Sequence, residues 1–126
     1  MSDSVDRLYQ AVLTARKADP AVSRTARLLR AGRAKMAKKL AEEAVEVVID
    51  TMSGERESVV RESADLLYHL AVLWVSAGVR PTEVWQEMAR RERLFGIAEK
   101  VPKKALDVAV RRKVVLLDSR RPRKRR

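Results

Sequence analysis

The stretch ESADLLYHLAVLWV, residues 62–75, decides the fold. Wound as a helix, it places Glu62 and Asp65 on one face, about 60° apart. Residues 66–75 then continue apolar nearly all round, interrupted by Tyr68 and His69. A helix of that kind is buried on several sides, so other elements must pack around it. The apolar run is too short to span a bilayer, and no membrane partner is expected. Two acids opening such a helix belong at the mouth of a core, not on an ordinary solvated face.

A second acidic stretch, EEAVE at residues 42–46, precedes it. Periodicity predicts a helix from about residue 33 to 52, with Glu42, Glu43, Glu46 and Asp50 on one side and Val, Leu, Ile and Ala filling the rest. Alone, this reads as an amphipathic helix with an acidic wet face. Gly54, in SGERE, supplies a short turn to a helix from about 57 to 77, which makes the two helices antiparallel neighbours. Glu43 and Glu46 then oppose Glu62 and Asp65. Four converging carboxylates repel unless a cation joins them. With no Cys in the chain and one His, oxygen ligands select a hard ion, Mg²⁺ or Mn²⁺. Such ions bridge phosphate oxygens, and a carboxylate left unligated can take a proton from attacking water. Lys35, Lys38 and Lys39 lie just before the acids. They read as phosphate contacts as a group, and as surface lysines one by one.

The remaining elements also read as helices. Ser4 suits the cap of a helix from about 5 to 17, Pro20 breaks it, and Ser23 suits the cap of a short helix through about 29. Gly32 and Gly78 mark further breaks, and Pro81 suits the first turn of a fifth helix ending near 93. The expected fold class is all-α, a helical bundle of about five helices. At 126 residues and 46% hydrophobic content the chain has one domain's length and enough apolar residues for a core. Residues 1–100 form that domain. Residues 101–118 form an extension in which KVVLLD suits helix or strand. SRRPRKRR, residues 119–126, reads as a disordered basic tail. From residue 111 onward there are nine Lys/Arg and one acid, so +8 of the net +11 lies there. That tail suits weak, salt-dependent nucleic-acid binding or attraction of an anionic nucleotide. It has no interleaved aromatic residue for stacking on bases. The absence of Cys and of an apolar leader suits the cytoplasm. His69 reads as a hydrogen-bonded core residue. Trp74 and Trp85 read as core or interface residues.

EEAVE followed by ESAD resembles the EExxE…ExxD pattern of the all-α nucleoside triphosphate pyrophosphohydrolases. Within them the chain is most similar to the phosphoribosyl-ATP pyrophosphohydrolase family. The similarity covers roughly residues 5 to 100. It is carried by DRLYQAVLTARKADPAVSRTARLL (6–29), KMAKKLAEEAVEVVI (35–49), ESADLLYHLAVLW (62–74) and ARRE (89–92). The resemblance implies a helical bundle whose core is completed by homodimerisation or higher assembly. It implies Mg²⁺-dependent hydrolysis of phosphoribosyl-ATP to phosphoribosyl-AMP and pyrophosphate, in histidine biosynthesis. By position it implies Glu43, Glu46, Glu62 and Asp65 as metal ligands and Glu42 as an outer ligand or the water-activating base, with Glu46 also catalytic. Lys35, Lys38 and Lys39, with Ser23 and Thr25, become candidates for the substrate phosphates. The chain departs from the family at Ala41, commonly Gly, and at RRERLFGIAEK (90–100), where the family often has His after the two Arg. The segment from Pro102 has no assigned counterpart. These departures leave two alternatives: a house-cleaning enzyme for other nucleoside triphosphates, or a catalytically weak paralogue whose tail binds nucleic acid.

Overall fold

A computed structural model of the chain describes residues 2–96. It contains α1 (Ser2–Ala15), α2 (Arg24–Ala31), α3 (Arg33–Met52), α4 (Arg56–Ala77) and α5 (Pro81–Phe95), and no strand among the described residues. The all-α class and the five helices agree with the sequence reading. The extension 101–118 and the basic tail, with the disorder and nucleic-acid binding expected of it, lie outside the described residues.

Local chemistry accounts for most boundaries. Ser23 caps α2 as expected, its Oγ accepting from the Ala26 amide at 3.1 Å. Gly78 ends α4 in the left-handed region at φ 72, which lets the Val79 amide donate back to the Trp74 carbonyl at 2.9 Å. α1 differs from expectation at both ends. α1 begins at Ser2, so Ser4 lies inside it, where its Oγ accepts from Arg7 Nη2 at 3.2 Å. α1 also stops at Ala15, and residues 16–18 tighten into three-residue turns before Asp19. Pro20 keeps the helix from continuing past these turns, since it disfavours helical geometry at Asp19.

The chain divides into two compact units, Met1–Val84 and Trp85–Arg126, with the division falling within α5. In the first unit α4 is the central helix, packing against α1, α2 and α3, as its nearly all-round apolar sequence requires. Its core joins Tyr9, Val12, Leu28, Met36, Ala71, Val72 and Val75, with Val72 wholly buried. Trp74 packs partly buried against this cluster. Arg33 clasps the start of α3 to the end of α4, donating from Nε to Ser76 Oγ at 3.1 Å and from Nη2 to the Ser76 carbonyl at 2.8 Å. The two helices therefore run antiparallel, and Glu43 comes beside Glu62.

α3 turns differently from the simple amphipathic reading. Its half-buried side carries Leu40, Glu43, Ala44, Val47 and Asp50, continuing from buried Met36. Val45, Val48 and Ile49, which periodicity assigns to an apolar side, are each more than half exposed, as is Met52 at the end of the helix. Val60 and Leu67 on α4 are about half exposed as well. No helix long and apolar enough to cross a membrane occurs among the described residues.

In the second unit, of which residues 85–96 are described, Glu87 receives hydrogen bonds from Arg90 and Arg91. The distances are 2.8 Å from both Arg90 nitrogens and 3.0 Å from Arg91 Nε. The hydrogen bonds of Arg90, then of Arg91, hold the Glu87 carboxyl down at about 2. Its folded value is below its ordinary 4.5, so the stability it adds is present above pH 4.5 and lost as pH falls toward 2. Melting curves of Glu87→Gln should show a shallower acid decline than the parent chain across that window. Equal slopes would count against the ion-pair network.

Candidate active site

α3 and α4 bring one carboxylate from the first helix against two from the second. Ligand oxygens of Glu43, Glu62 and Asp65 all lie within 4.8 Å of one another. Glu43 and Glu62 are half-buried, and one oxygen of each, Oε2, is shut off from solvent with no hydrogen-bond partner. A buried charged oxygen without a partner is costly, and like charges so close raise the cost. The local electrostatics carry that mark. Glu62 is held above the usual carboxylate range by the side chain of Glu43 first, with burial and the charges of Glu43 and Asp65 adding to it. Glu46, exposed on the next turn of α3, is also held up, first by hydrogen bonding with Glu62, then by its charge. The donor set is all oxygen, crowded and under-satisfied. These properties fit a hard divalent cation such as Mg²⁺ or Mn²⁺, which would satisfy both orphaned oxygens and remove the repulsion.

His69 lies one turn beyond Asp65 and is 2% exposed. Its core placement agrees with the sequence reading. The expected hydrogen bond is not formed: Nε2 stands 3.7 Å from Glu43 Oε1, and Nδ1 has no partner among the described residues. Burial, then the charge of Arg24, lowers its pKa and favours the neutral ring.

Beyond His69 opens a cavity of about 200 Å³ between α2, α3 and α4, lined by Arg24, Arg27, Leu28, Lys35, Lys39 and His69. Two of the three lysines singled out from the sequence therefore meet in one cavity. Lys38 lies apart from it, beside Ala41, Glu42, Val45 and Glu46 of α3. Glu42 is exposed and pairs with Lys39, Nζ to Oε2 at 3.7 Å, outside the three-carboxylate cluster. Ser23 caps α2 with its hydroxyl. Thr25 Oγ1 shares a 2.5 Å hydrogen bond with Tyr68 OH, which fixes α2 on α4.

Arg24 and Arg27 were missed by the sequence reading, which took the hydroxyls of SRTARLL and passed over its arginines. Their i, i+3 spacing was the available signal, since it puts both on one face of a helix.

A family model described as phosphoribosyl-ATP pyrophosphohydrolase matches residues 5–92. Phosphoribosyl-ATP pyrophosphatase 2 of Bradyrhizobium diazoefficiens is 62% identical over 99% of this chain and 99% of its own length. The protein of that name in Rhodopseudomonas palustris is 64% identical over the whole of both chains. Phosphoribosyl-ATP pyrophosphatase of Granulibacter bethesdensis is 55% identical over 76% of this chain and 60% of its own. The two full-length matches extend through the segment after residue 101, which thus has counterparts in those relatives.

Proposed function

Because the chain belongs to the phosphoribosyl-ATP pyrophosphohydrolase family, we propose that it hydrolyses phosphoribosyl-ATP to phosphoribosyl-AMP and pyrophosphate, a step of histidine biosynthesis in the cytoplasm. The observation that carries the chemistry is the three-carboxylate cluster beside a basic cavity. A triphosphate needs both: acids to hold a cation and cations to hold its oxygens.

Glu43, Glu62 and Asp65 would hold Mg²⁺ or Mn²⁺, with Glu46 completing the set as ligand or base. The ion, when bound, supplies charge stabilisation for the phosphoryl oxygens. Lys35 and Lys39 bind phosphate oxygens on the other side of His69. Lys38, Ser23 and Thr25 stand further from that role, the first outside the cavity and the other two engaged in structural hydrogen bonds. Water attacks the α-phosphorus, a new P–O bond forms, and the bond to the bridging oxygen breaks. The electron pair leaves on pyrophosphate, and the water's proton passes to a carboxylate. Glu46 suits that task better than Glu42, because it interacts with Glu62 of the cluster while Glu42 is turned outside it and already paired with Lys39.

Homodimerisation is part of the same reading. Val45, Val48, Ile49 and Met52 follow i, i+3, i+4, i+7 spacing, and Val60 and Leu67 extend the exposed apolar surface onto α4. A second copy of this hairpin would cover them, because an exposed stripe of this size on two packed helices favours association.

The test is pyrophosphate release from phosphoribosyl-ATP, with and without Mg²⁺, beside a panel of ordinary and noncanonical triphosphates. Metal-dependent turnover of phosphoribosyl-ATP in preference to the panel is the expected result. Preference for another triphosphate would overturn the substrate, and turnover unchanged by chelator would overturn the metal. Mg²⁺ at a hundred times its dissociation constant should also stabilise the folded protein by about 2.7 kcal/mol, read as a rise in melting temperature.

A further inference from the structure

We propose that the cavity between α2, α3 and α4 is the site of the departing pyrophosphate, and that Arg24 and Arg27 are its specificity-determining residues. This rests on the reading of the chain as a phosphoribosyl-ATP hydrolase and goes beyond it by assigning the phosphates. The cavity carries four cationic side chains and no carboxylate. Lys39 is offset by Glu42, but among the described residues Arg24, Arg27 and Lys35 form no ion pair. Three exposed cations without an ion-pair partner line one cavity, and a highly charged anion seated there would meet all of them at once.

The two guanidinium groups are also held in place. Arg27 Nη1 donates to the Pro20 carbonyl at 2.7 Å, which leaves the rest of its fork for a ligand. Arg24 stands 5.9 Å over the Tyr68 ring, and Thr25 anchors that ring through the Tyr68 hydroxyl. The Thr25 hydroxyl thus acts on the phosphates through Tyr68 and Arg24, as a positioning group.

Location selects which phosphate enters. His69 lines the cavity on one side and stands 3.7 Å from Glu43 on the other, so one imidazole ring separates the cations from the acid cluster. Cleavage at the α-phosphate puts the β,γ-diphosphate next to the cluster. The ribosyl phosphate hangs from the purine base, at the far end of the nucleotide. The group beside the reacting bond, which also gains charge as that bond breaks, is the diphosphate.

The experiment is calorimetric titration of the full-length protein in Mg²⁺ with inorganic pyrophosphate and, separately, with ribose 5-phosphate. Arg24→Gln and Arg27→Gln should each weaken pyrophosphate binding by about tenfold and leave ribose 5-phosphate unchanged. Arg30→Gln, which removes the same charge outside the cavity, should change pyrophosphate binding less than twofold. Equal weakening by Arg30→Gln would reduce the effect to net charge and overturn the proposal. Weakened ribose 5-phosphate binding with pyrophosphate unchanged would assign the cavity to the other phosphate and overturn it too. Lys35→Gln, on a different helix, serves if an α2 variant fails to fold. Because the readout is binding, failure to hydrolyse phosphoribosyl-ATP would overturn the proposed function while leaving this assignment readable.

Discussion

Replacing Glu62 by Gln is expected to lower kcat/KM by roughly 10²–10³-fold and, in the absence of metal, to raise the melting temperature. The two effects have one cause. Glu62 stands among carboxylates close enough to hold its own pKa up, with one oxygen buried and unpartnered. In metal-free protein that charge is repelled by Glu43 and Asp65, so an amide of the same shape relieves the strain and can donate to Glu43. With metal, the lost carboxylate removes several kcal/mol of charge stabilisation in the transition state, which at about 1.4 kcal/mol per tenfold gives the stated loss of rate. Assaying activity and metal-free melting together separates this from a structural role, because a merely structural residue loses both. Asp65→Asn should lower kcat/KM in the same way, since Asp65 belongs to the same cluster. Full activity in Glu62→Gln, or a lower metal-free melting temperature, would sink the assignment of the cluster as a metal site.

The second large effect concerns the exposed apolar stripe. Light scattering of Val48→Asp/Ile49→Asp should give the mass of one chain where the parent gives that of two. In a symmetric dimer each substitution enters the interface twice, so four charges would be buried against apolar side chains. Burying a side chain of the Val or Ile class contributes roughly 1.5–3 kcal/mol, and losing several shifts the dimer dissociation constant by on the order of 10³-fold or more. Circular dichroism should still show a helical chain, because both residues lie outside the cluster of Val12, Met36 and Val72. An unchanged mass would remove this face as the dimer interface.

Much of this was legible in the sequence because it depends on neighbours along the chain. Ser23, Gly54, Gly78 and Pro81 terminate or start helices through local backbone chemistry, and all five helices fall within a few residues of their expected bounds. The start of α1 is offset the most, because several residues there suit a cap and only the folded helix shows that Ser4 lies inside it. The i, i+3 pair Glu62 and Asp65 was legible for the same reason, as was the burial of the second half of α4, where His69, Ala71, Val72 and Val75 are buried although Leu67 is about half exposed.

The rest needed the packed chain. Periodicity fixes the angle between two side chains on one helix, but not how far that helix is rotated toward its neighbours, which ridge-and-groove packing decides. That rotation turns Glu43 inward and leaves Glu42 paired with Lys39 outside. It also exposes Val45, Val48 and Ile49, which the apolar pattern would have buried. The basic cavity has the same origin: Arg24 and Arg27 come from α2, Lys35 and Lys39 from α3 and His69 from α4, and no spacing along the sequence links them. The sequence by itself determined the helices, the acidic pairs and the likeness to a family of pyrophosphohydrolases, since each is written in residues a few positions apart. Only the tertiary structure decided which acids converge, which cations face them and which apolar side is left for a partner, since each depends on the rotation of one helix against another.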